Sequence, residues 1–594
     1  MKKIFVSTIV LFSALGLFAQ TMNDALTFSE QNYYGTARSM ALGNAMTAVG
    51  GDLGSIGINP AGSAVSYYSQ FTITPGFSLS SNLSNYSQSN FTELGNGIYN
   101  TKADNFTAAN KELYGKMTMP NVGVSFNYET GNRYGVKSVS FAFLSNNTNS
   151  YMSRSAVAGV NESTSMLGYF ASAATFNCDG MGSIARPSTL PSDVFSRYND
   201  PYDYFNKDAV AAYDSYMINP DGNGGYIAAT QSERSGSSAL NYLNSGKLKQ
   251  ASVVQKNGTK NDIIFNFGLN YEDRLFFGFN LGIPVMRYSN TEYIQEIAQD
   301  EEQFPVTVVD DDSTVHIYNF QNASYTYDYS ATGEGVYAKI GIIYLPTDNL
   351  RLGASFQTPT SYFIKESWTI AASSMLSGYS HNASNVPVWN NEYNFRAPGI
   401  IDLGAAYTFL DRGFVSVDYE FADYGAMKFT DAYQEYGAYY DSFSEVNRLN
   451  KLFCGASHAL RIGGEFRILP ELSIRAGYNV KTSPLKYYTD SEGDLVDAEF
   501  YDNSFNYYEA GKAYLSNKST FHLPVKSYSL GAGWSSAGSF FVDAAVKLTR
   551  YPVSYYSPYP EYQSFDGGKI FTASPLIQSV RKLWDFAVTF GWRF

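Results

Sequence analysis

The sequence predicts an all-β protein, a 14-stranded antiparallel transmembrane β-barrel. Three observations lead there. Short stretches of period-2 alternation recur along the 594 residues. The connections between them alternate between short and long. The composition joins 16% aromatic residues, 50 Tyr and 42 Phe among them, to only 16% charged residues, against about a quarter in ordinary soluble domains. Strands with one apolar and one polar face, ringed by aromatics, have that composition.

The chain opens with Lys2 and Lys3, an apolar run over Ile4 to Phe18, and small Ala19 before Gln20. This is the pattern of a signal peptide over residues 1–19, with the mature chain starting near Gln20. No later apolar run reaches the roughly 18 residues of a membrane helix, and the mean hydropathy is -0.23. Crossing a membrane therefore falls to strands.

The alternating segments lie near 69–79, 119–128, 136–146, 261–271, 275–288, 332–344, 349–358, 399–409, 413–421, 458–468, 472–481, 527–535, 539–549 and 583–594. In the last, Trp584, Phe586, Val588, Phe590, Trp592 and Phe594 share one face, and Asp585, Ala587, Thr589, Gly591 and Arg593 the other, because strand side chains alternate sides. The terminal Phe594 matches the signal by which barrel-assembly machinery recognises outer-membrane strands. After even-numbered segments the links are short, "ETGNRYG", "EDR", "LPTD", "LDR", "LPE" and "SAG". After odd-numbered ones they are long, the longest running from about 147 to 260. An even strand count with both termini on the short-turn side gives that alternation. Residues 67–594 thus read as barrel and 20–66 as a separate N-terminal segment.

Charges mark the lumen face. Arg461, Glu465 and Arg467 lie opposite Leu460, Ile462 and Phe466. Arg475 lies opposite Ile474, Asp418 and Glu420 opposite Tyr419, and Asp543 and Lys547 opposite Val546. A Lys or Arg turned to lipid at mid-membrane costs about 2–4 kcal/mol, so these groups point inward. Arg461, Arg467 and Arg475 are candidates for holding a ligand carboxylate. The same residues suit ion pairs with Glu465, Asp418 or Glu420 that only support the wall.

The net charge of -13 excludes nucleic acid as partner. Two cysteines, Cys178 and Cys454, cannot staple a scaffold. The four His are scattered, and no metal-ligand spacing occurs. The acidic runs Asp300-Glu301-Glu302 and Asp310-Asp311-Asp312 read as solvated loops, and "NPDGNGG" lacks the closing Glu of a calcium loop. "GASHA" precedes a strand rather than a helix, so it is no nucleophile elbow. No catalytic site, metal or cofactor is predicted, and the chain does not read as an enzyme.

Within 20–66, "ARSMALGNAMTAVGGDLGSIGINPAGSAV" carries Gly43-Asn44-Ala45, Asp52 and Asn59-Pro60-Ala61. It resembles the N-terminal hatch of FadL-type long-chain fatty acid transporters. "LRIGGEFRILPELSIRAGYNVKTSP", "VSVDYEFADYGAMKF" and "YSLGAGW" are similar to strands of that family, in patches across most of the chain. The resemblance implies a lumen plugged by residues 20–66, with Arg38, Gly43, Asn44, Asp52, Asn59, Pro60 and Ala61 as hatch residues and Arg38 and Asp52 as tethers. It implies passive uptake of hydrophobic small molecules, long-chain fatty acids foremost, by a monomer in the bacterial outer membrane, among outer-membrane lipid and lipopolysaccharide. Release would be lateral, at a kinked third strand, yet "VKSVSFAFLSN" holds neither Pro nor internal Gly. The hatch residues suit a plug that moves as well as one that only closes the barrel. Two other readings stand beside transport: a barrel that partners an assembly or secretion system, and haem uptake, for which clustered His is missing.

Overall fold

The computed structural model describes residues 22–594 except 88–90, 96–97, 102–108, 178–206, 222–224, 234–241, 310–314, 384–388, 410–411, 434–442, 486–487, 490–494, 497–523, 537–538, 560–561, 567–568 and 574. Residues 1–19, where the sequence predicts a signal peptide, lie outside the described residues, as do Cys178 and Asp310 to Asp312.

Fourteen antiparallel strands close into a barrel. They are β1 (Gln70–Ser87), β2 (Asn110–Glu129), β3 (Val136–Ser150, resuming as Ser153–Asn161), β4 (Leu248–Tyr271), β5 (Leu275–Ala298) and β6 (Val315–Tyr344). Then come β7 (Leu350–Gln357 and Thr360–Leu376), β8 (Trp389–Ala397 and Ile400–Phe409), β9 (Gly413–Asp423 and Lys428–Asp431) and β10 (Ala456–Leu469). Last are β11 (Leu472–Lys481), β12 (Val525–Ser535), β13 (Phe540–Tyr556) and β14 (Leu576–Arg593). Closure is by β1 on β14, in register from Gln70↔Arg593 to Ser87↔Leu576.

Every predicted segment falls inside one of these strands to within a residue. The strands run further than the pattern marks, always away from the short turns. β4 starts at Leu248 and β3 resumes over Ser153–Asn161, so the stretch 147–260 is part strand rather than all loop. Those extensions are rich in Ser, Asn and Tyr, and beyond the lipid nothing enforces an apolar face.

The alternation resolves as two surfaces. Phe141, Phe143, Phe265, Phe267, Phe277, Phe279, Phe586 and Trp592 are exposed on the outside. Their neighbours in sequence, such as Ser140, Asn266, Asn280, Asp585 and Thr589, are buried within. An exposed apolar belt on a closed barrel is the arrangement of a membrane-spanning wall.

The N-terminal segment lies against the inward faces of the strands. It comprises helix α1 (Met22–Ser29), the short helix α2 (Ala37–Ala41), and two 3₁₀ turns, Leu53–Gly57 and Pro60–Ser63. Residues 36–50 and 52–64 are buried except for Arg38, which is half-buried. Above the wall, α3 (Met166–Asn177) and α4 (Lys207–Asp214) pack an apolar core with Phe304 of the β5–β6 connection and with Phe320, Ile370 and Leu376 from the strand extensions.

The third strand bends, although Val136–Ser150 holds no Pro or Gly. Pairing of β2 with β3 stops at Asn121↔Asn146, while β2 continues to Asn110 paired only with β1 among the described residues. Beyond that point β3 turns into the lumen. Asn82 Nδ2 donates to Ser153 Oγ at 3.0 Å, and Ser84 and Ser155 hydroxyls meet at 2.7 Å on the inner face of β1. The N-terminal segment supplies the missing partners: Asn32 N donates to Thr148 O (2.7 Å) and Tyr34 N to Asn147 O (3.2 Å). Buried backbone groups need partners, and here a second chain segment replaces the neighbouring strand. The polar run Asn146 to Asn149 tolerates that burial because its side chains also find bonds, Asn121 Nδ2 donating to Asn146 Oδ1 at 2.6 Å and Thr148 Oγ1 to Asp262 Oδ1 at 3.0 Å.

Candidate lumen site

Small residues let the N-terminal segment approach the wall at backbone distance. Gly43 (φ 63°) and Asn44 (φ 62°) form consecutive left-handed residues, a conformation open to Gly and tolerated by Asn. A Cβ on Gly477 of β11 would stand 2.1 Å from Gly43 N, and one on Gly341 of β6 would stand 1.9 Å from Asn59 Oδ1. Asn44 Nδ2 donates to Tyr33 O at 2.7 Å.

Asn59 organises the second turn. Its extended backbone (φ -133°, ψ 114°) precedes Pro60, as the residue before proline must. Its Oδ1 accepts from Ala61 N at 3.1 Å, an N-cap. Its Nδ2 donates to Thr47 O (2.7 Å) and Ile342 O (3.1 Å), joining two parts of the segment to β6. Ala61 packs on Phe276 and Ile343 of the wall.

Asp52 plays a local part rather than the tether to the wall that the sequence suggests. It caps the 3₁₀ turn by accepting from Ser55 N (3.2 Å) and takes the Thr36 hydroxyl at 2.8 Å. Burial raises its carboxyl above the ordinary range, against the lowering effect of Arg38 and the Thr36 bond. This short side chain joins its own turn to the start of α2 and goes no further. Arg38 does bridge to the wall, with Nε 2.8 Å from Glu465 Oε2.

The predicted ligand arginines fall into two ion networks and one exposed rim. Arg475 Nε lies 2.7 Å from Glu465 and its Nη1 2.5 Å from Asp543, so Arg38, Glu465, Arg475 and Asp543 make one chain. Arg461 pairs with Glu420 and, at 3.4 Å, with Asp402, which also takes Lys339 Nζ at 3.1 Å. Lys339 Nζ donates onward to Gly57 O at 3.1 Å. Asp418 accepts from Thr47 N at 2.7 Å. Arg467 lies exposed beside the short turn, its N donating to Arg412 O. Both buried arginines are thus engaged by wall carboxylates.

Two residues that the sequence reading passed over are placed differently. Lys260 of β4 and Lys481 of β11 are directed at the end of α1. Lys260 Nζ donates to Phe28 O (3.2 Å) and Glu30 O, and Lys481 Nζ to Gln31 O at 3.0 Å. The nearest carboxylate to Lys481 is Glu420, at 3.8 Å. A helix C-terminus carries partial negative charge, so two buried ammonium groups meet carbonyl oxygens where an anion would fit. A small cavity remains among Ser29, Gln31, Tyr362, Glu420, Tyr424 and the two lysines. Beside it stands a packed aromatic cluster: Phe28 inserts between Tyr288 (6.4 Å) and Phe395 (6.0 Å), with Tyr151, Tyr362, Tyr393 and Phe429 around it. The buried Cys454 belongs to this cluster. Period-2 parity could have flagged Lys481, which continues the inward face of Arg475. Lys260 stands just outside the span that alternation marks.

Among the described residues no group of three His, Cys, Asp or Glu could hold a metal ion. The run Asp300 to Glu302 is an exposed 3₁₀ turn capped by Asp300.

Strand pairing, outer belt and charged lumen define a transmembrane β-barrel whose bore is occupied by its own N-terminal segment. Solved structures to which the chain is similar include a FadL homologue from Pseudomonas aeruginosa, at 10% identity and TM-score 0.45, covering 95% of this chain and 98% of that one. Others are the Pseudomonas putida toluene transporter TodX (11%, TM-score 0.38, 93% and 98% covered) and the monoaromatic hydrocarbon channel CymD (10%, TM-score 0.41, 94% and 97%). No family model matches the chain, and no curated protein does.

Proposed function

We propose that this protein takes up hydrophobic small molecules passively across a bacterial outer membrane, and that its substrates are long-chain fatty acids or similar anionic amphiphiles. The observation that carries the substrate class is the aromatic cluster around Phe28, bordered by Lys260 and Lys481; with α1 withdrawn it would open as an apolar chamber. An apolar chamber with a few convergent polar groups suits an apolar chain, and paired cations suit a carboxylate. In this reading α1 is a stand-in: Phe28 fills the place of the chain and the carbonyls that of the head group. Arg461 and Arg475 hold the wall together, and Arg467 takes no part in binding.

Residues 20–66 act as a hatch, seated by Arg38, Gly43, Asn44, Asn59, Pro60 and Ala61, with Asp52 stiffening it from within. Ligand caught by the outer loops enters the chamber as α1 withdraws. It leaves sideways where β2 and β3 part. The bend of β3 is held by Asn32 and Tyr34, so displacement of the N-terminal segment and the state of that gap are coupled. The working unit is a monomer, inserted by barrel-assembly machinery that reads Phe594.

The test is binding of a fluorescent long-chain fatty acid to the purified protein in detergent, with oleate as competitor. Saturable, competed binding is expected. The double variant Lys260→Met/Lys481→Met should bind the acid at least 10-fold more weakly and the matching alcohol unchanged. Absence of saturable binding would overturn the transport reading. Equal loss for acid and alcohol would overturn the assignment of the two lysines.

A further inference from the structure

The outer surface carries a charged feature that neither the lumen nor the hatch explains. Lys526 of β12, Arg550 of β13 and Lys582 of β14 are direct register partners, Lys526↔Arg550 and Arg550↔Lys582. All three lie on the lipid-facing parity. Lys526 shares its face with Tyr528 and Leu530, and Lys582 with Trp584 and Phe586, all four of them exposed. Directly paired residues on neighbouring strands stand about 5 Å apart, so the three cations fall within roughly 10 Å of one another. Every Asp on β12 to β14, namely Asp543 and Asp585, faces the lumen and is buried. β1 and β11 contain no Asp or Glu. The array therefore has no acidic neighbour on its own face across five consecutive strands. By contrast, Lys365 on the outer face of β7 pairs with Glu392 at 2.6 Å.

Its height is set by the wall. From Trp592 near the short-turn end to Lys582 is a rise of about 33 Å along the strand, at roughly 3.3 Å per residue. A tilt of about 40° projects that to about 25 Å, the thickness of the apolar belt of an outer-membrane barrel. The cations thus stand where acyl chains end and head groups begin, on the side of the long loops. Tyr528 and Trp584 lie one step below, as an interfacial aromatic row.

We propose that Lys526, Arg550 and Lys582 form a lipid site that binds the phosphorylated head group of a lipid A-type glycolipid in the leaflet on the long-loop side. Arg550 at the centre offers a planar fork for one phosphate. Lysines on both sides extend the array beyond the reach of a single phosphate, which favours a head group bearing two. Acyl chains would lie down the adjoining face of Leu530, Val546 and Phe586. The proposal rests on the outer-membrane reading above, but not on the hatch or the chamber.

The experiment is native mass spectrometry of the full-length barrel in detergent, titrated with diphosphoryl lipid A, dephosphorylated lipid A, phosphatidylglycerol or inorganic pyrophosphate. Each surface cation near an anionic membrane contributes about fivefold to binding. The Lys526→Gln/Arg550→Gln/Lys582→Gln variant should therefore bind diphosphoryl lipid A on the order of 100-fold more weakly. Lys365→Gln should bind like the parent, and dephosphorylated lipid A weakly to every form. If the triple variant does not fold, as judged by heat-modifiable mobility, Lys582→Gln alone should lose about fivefold. Undiminished binding by the folded variants overturns the site, as does equal affinity for dephosphorylated lipid A. Pyrophosphate binding as tight as the glycolipid would assign the array to a soluble anion instead. Failure of the parent protein to enter lipid nanodiscs would count against the membrane reading itself, a separate outcome.

Discussion

Replacing Asn59 with Ala should unseat the N-terminal segment while leaving the wall intact. The Asn59 side chain is fully buried and makes three bonds of good geometry, to Thr47 O, Ile342 O and Ala61 N. Loss of an N-cap costs about 1 kcal/mol. Each of the two bonds lost to a backbone carbonyl adds about 1 kcal/mol. The sum is about 3 kcal/mol, roughly a 100-fold rise in local opening. Amide hydrogen exchange of the detergent-solubilised protein reads this directly. Peptides covering 36–64 should lose about two decades of protection, and those from β10 to β14 should keep theirs. Asn59→Asp keeps the capping acceptor but places a charge against two carbonyls, so it should open the segment at least as much. Unchanged protection over 36–64 would refute the reasoning. Equal loss in β10 to β14 would also refute it, because the segment would then be part of the barrel's own cooperative unit and not a separately seated element.

Two further outcomes follow from buried carboxylates. Glu465→Gln leaves Arg38 and Arg475 sharing a neutral acceptor; breaking a buried pair costs about 3 kcal/mol, so the temperature of the heat-modifiable gel transition should fall, and much less so in the Arg38→Gln/Glu465→Gln double variant. Glu296 stands at the far end of β5, above the membrane-spanning part. It accepts from Met166 N (2.6 Å), Gln250 Nε2 (2.7 Å) and Ser165 Oγ (2.5 Å), fastening α3 to the wall. Burial pushes its carboxyl up to about 7, against the lowering effect of those bonds. Because the docked state holds the proton more tightly than the undocked one, docking is strongest below about pH 4.5 and weakens as pH rises through about 7. The span corresponds to about 3 kcal/mol. Proteolysis of 164–177 should accelerate across that window, and Glu296→Gln should abolish the pH dependence.

The strand spans, their number and the side each residue faces were legible because they follow from local rules. A membrane demands an apolar face every second residue over about ten residues, and the pattern in "WDFAVTFGWRF" or "FFVDAAVKL" obeys it. The polar extensions of β3 and β4 were not legible, since past the lipid no such demand acts. The bend of β3 escaped for a different reason. Its cause lies in residues 32–34, more than a hundred positions away, which take over the hydrogen bonds of Asn147 and Thr148. Arg461 and Arg475 were correctly read as inward, but inward does not say which cation is already held. That depends on which carboxylate stands on the neighbouring strand: Glu420, Glu465 and Asp543 engage the arginines, while Lys260 and Lys481 face the helix end, Lys481 with Glu420 3.8 Å away. Asp52 shows the same limit, its short side chain joining its own turn to Thr36 of the same N-terminal segment rather than to the wall.

By itself the sequence determined the container: fourteen spans, a greasy outside, a charged inside and a compact glycine-rich N-terminal segment. Alternation, turn length and side-chain volume are properties of the chain near each residue, so they can be read along it. Only the tertiary structure decided what the container holds and where it parts. The seating of Asn59 on β6, the two lysines at the end of α1 and the gap beside β2 are all contacts between residues far apart in the chain. Register and closure bring those residues together, and neither is written at any single position.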